Sequence, residues 1–284
     1  MAIEKILLAD SGTGHSEEML KALMDIPMIQ RASVTVLHVV SPQVTTDAMT
    51  EKWEEGGKIL AKAIQYLNLD PEKVNTMLRQ GDPKDIVCRV AEETDADLII
   101  MGSRGLKRLQ SILENSVSQY VFQLASRPML LVKDDIYVKK INRVMVAIDK
   151  SDAAKQALDL AIALVRDIPN GQLVFVHTNP EMKLKPGEIA ANAEEDPVLQ
   201  SAIAEAKKYG ISYKCVAPEG KPGERICQMA EEMNIDLLML GSPDRRPTIA
   251  KGLPDLDRLL GQSLSDYVRV YANCPVMLVR VPAA

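Results

Sequence analysis

The sequence predicts an α/β protein with two tandem domains, each a five-stranded parallel sheet flanked by helices. Three observations predict this class: the length, an internal repeat, and the alternation of strand-like and helix-like segments in each half. The chain has 284 residues, close to two domains of roughly 150 residues each. Hydrophobic residues make up 46% and charged residues 26% of the sequence, which is the balance of a globular protein.

The chain repeats itself at an almost constant spacing. The spacing is 139 positions up to Gly102, and after an eight-residue insertion it becomes 147. The matching pairs include Asp10 with Asp149, His38 with His177, Gly102 with Gly241, Ser116 with Ser263 and Pro128 with Pro275. We therefore predict a duplicated domain, with domain 1 over residues 1–137 and domain 2 over residues 138–284.

The predicted strands are short apolar runs, as expected for strands that are buried in a parallel sheet. In the first half they are Ile6–Ala9, Val34–Val39, Val74–Leu78, Leu98–Met101 and Met129–Val132. In the second half they are Val144–Ala147, Leu173–His177, Ile211–Val216, Leu237–Leu240 and Val276–Val279.

The stretches between these strands are amphipathic and carry helix start signals. A helix is predicted after the Asp-Ser or Asp-x-Ser that ends the first strand of each half. The second helices are predicted at Thr50–Tyr66 and Pro197–Tyr209, and the third have Pro83 or Pro222 in their first turn and run to Glu93 and Glu232. The last helices are predicted to start near Ser116 and Ser263.

Each half therefore reads β-α-β-α-β-α-β-α-β, an order that predicts a doubly wound, Rossmann-like fold with right-handed crossovers. In such sheets ligands bind beyond the carboxyl ends of the strands, where the strand order reverses. The candidate functional residues are thus those that follow the first, second and fourth strands.

Composition excludes several classes of function. The formal net charge is −5 and aromatic residues make up 4%, so we expect no nucleic-acid binding. No apolar run approaches the roughly 20 residues of a membrane span, and the N-terminus has no signal-peptide layout, so we expect a cytoplasmic protein without membrane contact. The four cysteines form no CxxC pair and are interpreted as reduced thiols.

An anion site is indicated after the fourth strand of the first half. Gly102 and Gly105 flank Arg104 in a loop, and Asn115-Ser116 then enters a helix. Glycines let the backbone approach a ligand, a helix N-terminus offers free N–H groups, and arginine pairs with phosphate. A tight turn followed by a Ser116 helix cap explains the same residues equally well.

The spacing Gly102-x2-Gly105-x9-Asn115-Ser116 resembles the nucleotide loop of universal stress proteins, Gly-x2-Gly-x9-Gly followed by Ser or Thr. Other stretches of the first half resemble that family too: residues 7–10 (LLAD), 37–39 (LHV), 81–83 (GDP), 96–105 (ADLIIMGSRG) and 116–121 (SVSQYV). The resemblance covers nearly the whole chain, once in each half, and so implies a tandem two-domain member.

The resemblance implies an adenine-nucleotide site in the first half. Asp10 would lie by the nucleotide and its metal, Val39 would contact the base, and the loop would line the ribose and phosphates. The implied set is Ala9, Asp10, Ser11, Val39, Met101, Gly102, Arg104, Gly105, Asn115, Ser116, Val117 and Ser118, with Asp10 as the candidate Mg2+ ligand beside the phosphates.

Both halves depart from the family pattern. In the first, Asn115 replaces the third glycine, although asparagine tolerates the left-handed backbone such a loop needs. In the second, Asp244 replaces the second glycine, Gln262 aligns with Asn115, and Thr178 replaces Val39. We interpret the second half as degenerate for nucleotide, despite Asp149 and Ser263. The basic residues Arg245, Arg246 and Lys251 are read as a solvated loop that could alternatively bind an anion in another way.

The function expected from these residues is a stress-response protein that binds ATP or AMP, with or without Mg2+, as a conformational or signalling switch rather than as an enzyme. Two alternatives stay open: an interaction protein that needs no nucleotide, favoured by Asn115 and the altered second loop, and a slow ATPase. The expected partners are the nucleotide, an unidentified protein and the second half itself. In the family the last strands form a dimer contact, so the two halves are expected to form a pseudo-dimer, and the chain could also form a homodimer.

Overall fold

The computed structural model describes residues 2–12, 15–103, 117–133, 136–178, 193–242 and 263–280. The chain divides into two compact units, one of residues 2–25 and 29–139 and the other of residues 140–284 with Ile26–Met28. Within the described residues, no helix is both long and apolar enough to cross a membrane.

The first unit is a parallel sheet with the strand order β3-β2-β1-β4-β5. Its strands are β1 (Lys5–Ala9), β2 (Ser33–Val40), β3 (Val74–Gln80), β4 (Leu98–Ser103) and β5 (Met129–Lys133). Its helices are α1 (His15–Met24), α2 (Thr46–Leu67), α3 (Pro83–Glu93) and α4 (Val117–Leu124), with a 3-10 turn at Pro71–Lys73. Helix α1 packs with α2, and α3 packs with α4, as expected for two helical layers on opposite faces of a sheet.

The second unit has the same order, β8-β7-β6-β9-β10, again with parallel pairing. Its strands are β6 (Arg143–Ala147), β7 (Gln172–Val176), β8 (Ser212–Val216), β9 (Leu237–Ser242) and β10 (Val276–Arg280). Its helices are α5 (Asp152–Val165), α6 (Gln200–Lys208), α7 (Pro222–Glu232) and α8 (Leu264–Tyr271), with a 3-10 turn at Ala193–Glu195. The predicted doubly wound fold is confirmed in both units.

The core of each unit lies on its central strands. In the first unit Leu7, Leu8, Leu98 and Ile99 are fully buried, because helices cover both faces of these strands. Strand β3 lies at the edge of its sheet and is half-buried to exposed along its length. Burial of each such aliphatic side chain contributes roughly 1.5–3 kcal/mol, so the apolar runs that predicted the strands also stabilise the sheet.

Capping side chains determine where several helices begin. Helix α3 begins at Pro83, as predicted, and Asp82 accepts a hydrogen bond from the backbone N–H of Lys84 at 2.9 Å. Helix α2 begins at Thr46, four residues earlier than predicted, because Thr45 caps it by accepting from the N–H of Ala48.

Strand register corrects one part of the predicted repeat. Ala9 pairs with Leu37 and Met101, whereas Ala147 pairs with Val176 and Leu240. The partner strands keep the 139-residue spacing, but β1 and β6 are related by 138. The residue that follows Ala9, Asp10, therefore corresponds in space to Ile148 and not to Asp149.

The shorter spacing continues into the first helix of each unit. The buried residues Met19, Leu20 and Leu23 of α1 correspond to the buried residues Ala157, Leu158 and Ala161 of α5. One additional residue in the second half, between α5 and β7, then gives the 139-residue spacing of the later elements. A sequence comparison without gaps cannot detect this compensated shift, and it changes which side chains are equivalent at the sheet edge.

Candidate functional site

The candidate site lies at the carboxyl edge of the first sheet. Because Ala9 is paired with both Leu37 and Met101, the residues that follow these three positions lie side by side. They are Asp10 after β1, His38 and Val39 in β2, and Gly102 in β4. Among the sequence-predicted site residues, the structure brings together Ala9, Asp10, Ser11, Val39, Met101 and Gly102 at this edge.

Asp10 is the most buried acidic side chain of the site, with 4% of its surface exposed. Its Oδ1 accepts a hydrogen bond from the N–H of Gly12 at 2.8 Å, in a turn where Gly12 has a φ of 84°. Its Oδ2 is buried and has no hydrogen-bond partner among the described residues. A buried carboxylate oxygen without a partner is costly, so this oxygen is a candidate contact for a ligand or a cation.

His38 orients the backbone at the same place. Its Nδ1–H donates to the carbonyl oxygen of Asp10 at 2.8 Å, while the N–H of Asp10 donates to the carbonyl of Leu37 at 2.9 Å. Both bonds hold the end of β1 against β2. His38 therefore makes a structural hydrogen bond at this edge of the sheet.

The structure adds two residues that the sequence analysis did not single out. Glu17, in the first turn of α1, is 8% exposed, and Ser16 is 1% exposed with an Oγ that has no hydrogen-bond partner among the described residues. Burial, and next the charge of the adjacent Asp10 carboxyl, raise the pKa of Glu17 to about 7. The only sequence signal for Glu17 is that it lies in the acidic first turn of a predicted helix. Acidic residues are common at exposed helix starts, so this signal does not indicate that Glu17 is buried.

The two repeat-equivalent glycines have opposite surroundings. A Cβ added to Gly102 would meet no described atom within 4 Å, whereas one added to Gly241 would collide with the backbone of Ala153 and Ala154. Among the described residues, nothing occupies the space beside Gly102, whereas the start of α5 fills the corresponding space beside Gly241.

The remaining predicted site residues fall into two groups. Val117 and the buried Ser118 form the start of α4. Arg104, Gly105, Asn115 and Ser116 lie outside the described residues, as do the side chain of His15 and the loop residues Asp244, Arg245, Arg246, Lys251 and Gln262.

The second half differs at the matching edge. Ile148 occupies the place of Asp10, and Asp149 is exposed with its Oδ1 accepting from the N–H of Ser151 at 2.8 Å. Ser263 caps α8 by accepting from the N–H of Asp266 at 3.2 Å. The sequence repeat aligns Asp149 and Ser263 with Asp10 and Ser116 of the first half. In the structure, Asp149 instead stabilises a local turn and Ser263 caps a helix.

Among the described residues, no cluster of three or more His, Cys, Asp or Glu side chains could hold a metal ion. The Asp10 and Glu17 carboxyls are a pair, which resembles the one or two protein carboxylates that accompany phosphate oxygens at many Mg2+ sites.

Comparison with known proteins matches this fold and repeat. The model of the Universal stress protein family matches residues 2–133 and again residues 140–280. Universal stress protein YxiE of Bacillus subtilis (strain 168) is 30% identical over 145 residues, covering 45% of this chain and 98% of that protein. Universal stress protein MJ0531 of Methanocaldococcus jannaschii is 32% identical over 140 residues, covering 46% and 82% of the two chains.

A solved structure extends the likeness to the whole length. The crystal structure of a universal stress protein from Archaeoglobus fulgidus DSM 4304 superposes with a TM-score of 0.74 at 22% sequence identity, covering 98% of this chain and 96% of that one. This likeness supports the fold of each half. The chain belongs to the universal stress protein family and contains two of its domains in tandem.

Proposed function

We propose that the first half binds an adenine nucleotide, ATP or AMP, at the carboxyl edge of its sheet, and that occupancy sets the conformation or partner choice of a stress-response protein. The observation that carries the proposal is the buried Asp10 carboxylate, whose Oδ2 has no described partner, next to Gly102, where no described atom lies within 4 Å of an added Cβ. Membership of the universal stress protein family supports the choice of ligand.

Each residue has a distinct role in this proposal. Val39, half-buried at the end of β2, contacts the base, and Met101 and Gly102 line the ribose. The start of α4 at Val117 and Ser118, with Arg104, Gly105, Asn115 and Ser116, surrounds the phosphates with backbone N–H groups, hydroxyls and one guanidinium. Ala9 and Ser11 flank Asp10.

The donor set at Asp10 fits a magnesium ion. A hard divalent cation prefers carboxylate and phosphate oxygens, and Asp10 Oδ2 is a buried oxygen with no other described partner. Asp10, with Glu17 beside it, would hold the ion. When bound, Mg2+ neutralises phosphate charge that the two carboxyls would otherwise repel.

Calorimetry on the full chain tests the proposal. ATP, ADP and AMP are titrated with and without Mg2+, and intact mass and absorbance are used to detect a nucleotide that copurifies. We expect one bound nucleotide per chain, and an affinity for Mg2+–ATP about tenfold lower in Asp10→Asn, or about 1.4 kcal/mol. Asp149→Asn is the matched control and keeps the wild-type affinity, because that carboxylate is exposed in the second half.

Two results would contradict the proposed nucleotide binding at Asp10. Flat titrations with all three nucleotides, together with no copurified nucleotide, would favour an interaction protein that needs no nucleotide. Equal affinities of wild type and Asp10→Asn would remove Asp10 from the site.

A further inference from the structure

The second half contains a cavity of its own at the carboxyl edge of its sheet. The cavity has a volume of about 170 Å3. Ile148, Val176 and Leu240 supply apolar surface from three neighbouring strand ends, and His177 and Thr178 supply polar surface beside them. All of its lining residues belong to the second unit.

This cavity differs chemically from the candidate nucleotide site. The buried Asp10 and Ser16 of the first half correspond to Ile148 and Ala154 by the 138-residue spacing of β1 and β6. Among the described residues that line the cavity, the only charged side chain is the carboxylate of Asp149. Among these described lining residues, a phosphate group would thus meet a negative charge and apolar walls.

His177 is held in one orientation by a buried carboxylate. Its Nδ1 lies 2.6 Å from Oδ2 of Asp196, and the two side chains are 17% and 7% exposed. Asp196 is itself fixed, because its Oδ1 accepts from the N–H of Val198 at 2.8 Å. In the first half, His38 instead donates to a backbone carbonyl.

The carboxylate determines what the imidazole offers to a ligand. Asp196 accepts a hydrogen bond, so Nδ1 carries the proton and the neutral ring has an acceptor at Nε2. A carboxylate partner also makes that nitrogen a stronger acceptor. The second-half cavity therefore combines an apolar surface with one fixed hydrogen-bond acceptor.

We propose that this cavity binds a small neutral ring compound that carries one hydroxyl or N–H donor, of which phenol is the simplest. The donor bonds to Nε2 of His177, and the ring packs on Ile148 and Leu240. An apolar cavity of roughly 150 Å3 accommodates a benzene ring, so the volume suits one ring with a small substituent. This ligand class is distinct from the nucleotide proposed for the first half.

Histidine-labelled full-length protein tests the proposal directly. The chain has three histidines, so long-range 1H–15N spectra can follow each ring. We expect His177 to be protonated at Nδ1, and phenol to move its Nε2 resonance saturably while leaving those of His15 and His38 unchanged. We also expect phenol to bind at least fivefold more tightly than toluene, which has the same ring without a donor.

Two variants separate the hydrogen bond from the shape of the cavity. In His177→Leu we expect the preference for phenol over toluene to disappear. Because the ratio of the two affinities is measured on the same folded sample, a loss of stability does not produce this result. Asp196→Asn reduces the fraction of His177 protonated at Nδ1 and lowers the phenol preference. Asp167→Asn, which changes an exposed acid of the same half, leaves both readouts at wild-type values.

Several outcomes would overturn the proposal, and the first two need no variant at all. They are a His177 ring protonated at Nε2 in the wild type, and no saturable shift of its resonance with phenol in the millimolar range. Equal affinity for phenol and toluene would also overturn it, as would displacement of phenol by ATP or inorganic phosphate.

Discussion

At the scale of single residues, two buried carboxyls dominate the candidate site. Asp10, which follows β1, and Glu17, in the first turn of α1, are adjacent and buried. Two neighbouring buried carboxyls cannot both ionise without a large penalty, so one keeps its proton to a higher pH than usual. Burial and the Asp10 carboxyl accordingly raise the pKa of Glu17 to about 7.

This pair predicts a pH dependence of stability. A carboxyl whose pKa is raised on folding stabilises the fold below its unfolded value of 4.5, and that contribution is lost as the pH rises through about 7. In Glu17→Gln the amide does not titrate and can donate to Asp10. We therefore expect the difference in free energy of unfolding between the variant and wild type to shift by about 2 kcal/mol in favour of the variant from pH 5 to pH 8. Urea unfolding at each pH measures this difference.

The exposed carboxylate of Glu92 on α3 supplies the control for that comparison. Glu92→Gln should follow the wild-type curve within error at every pH. Parallel stability curves for wild type and Glu17→Gln would contradict the raised pKa of Glu17.

The two glycines predict a second contrast between single residues. Gly102→Ala adds a methyl that meets no described atom within 4 Å, so we expect the free energy of unfolding to change by less than about 0.5 kcal/mol while nucleotide affinity falls. Gly241→Ala places the same methyl against the backbone of Ala153 and Ala154, and overpacking of this kind typically costs about 1–3 kcal/mol. Thermal unfolding of both variants measures the contrast, and equal destabilisation would contradict it.

At the scale of secondary-structure elements, the repeat offers matched helix starts. Helix α3 follows Asp82, whose side chain caps it, and α7 follows Lys221, which makes no side-chain cap bond. Both helices then begin with proline, so the flanking sequences are similar. The cap is therefore the principal difference between these two helix starts.

We expect Asp82→Ala to destabilise the first half by about 1 kcal/mol, and Lys221→Ala to change the second half by no more than a few tenths. The fluorescence of Trp53, the only tryptophan, reports unfolding of the first half because it lies on α2. Hydrogen exchange of α7 amides reports the second half. Equal effects of the two substitutions would show that proline alone determines these helix starts.

At the scale of the whole molecule, two copies of one fold carry different sheet edges. At the first edge, Asp10 is buried with one oxygen that has no described partner, and no described atom lies within 4 Å of a Cβ added to Gly102. At the second edge, the buried Ile148 takes the place of Asp10, and the backbone of α5 occupies the space beside Gly241. A ligand that binds only the folded form stabilises only the unit that holds it. Nucleotide binding should therefore separate the stabilities of the two halves.

We expect ATP with Mg2+, at about 100 times its dissociation constant, to stabilise the first half by about 2.7 kcal/mol. The measurement is hydrogen exchange followed by mass spectrometry, with β1 and β4 amides gaining protection and β6 and β9 amides unchanged. Equal protection of both halves would contradict the interpretation that the second half does not bind nucleotide.

Much of the fold could be predicted because its signals lie within short stretches of chain. The apolar runs at Leu98–Met101 and Val276–Val279, and the proline starts at Pro83 and Pro222, depend on local chemistry, and each is confirmed within one or two residues. The early start of α2 was missed because Thr45 acts as a cap only in one backbone conformation. Of the candidate site, the sequence predicted the strand ends but not the burial of Glu17.

The sequence by itself determined the duplication, the strand and helix order, and the edge of the sheet at which a ligand is expected, since all three follow from periodic patterns along one chain. Only the tertiary structure decided that Asp10 corresponds to Ile148, that Glu17 lies beside Asp10, and that His177 is held by Asp196. These facts depend on strand register and on contacts between residues that are distant in sequence. A shift of one residue at the end of a strand leaves almost no trace in a repeat, yet it exchanges a buried carboxylate for a buried isoleucine.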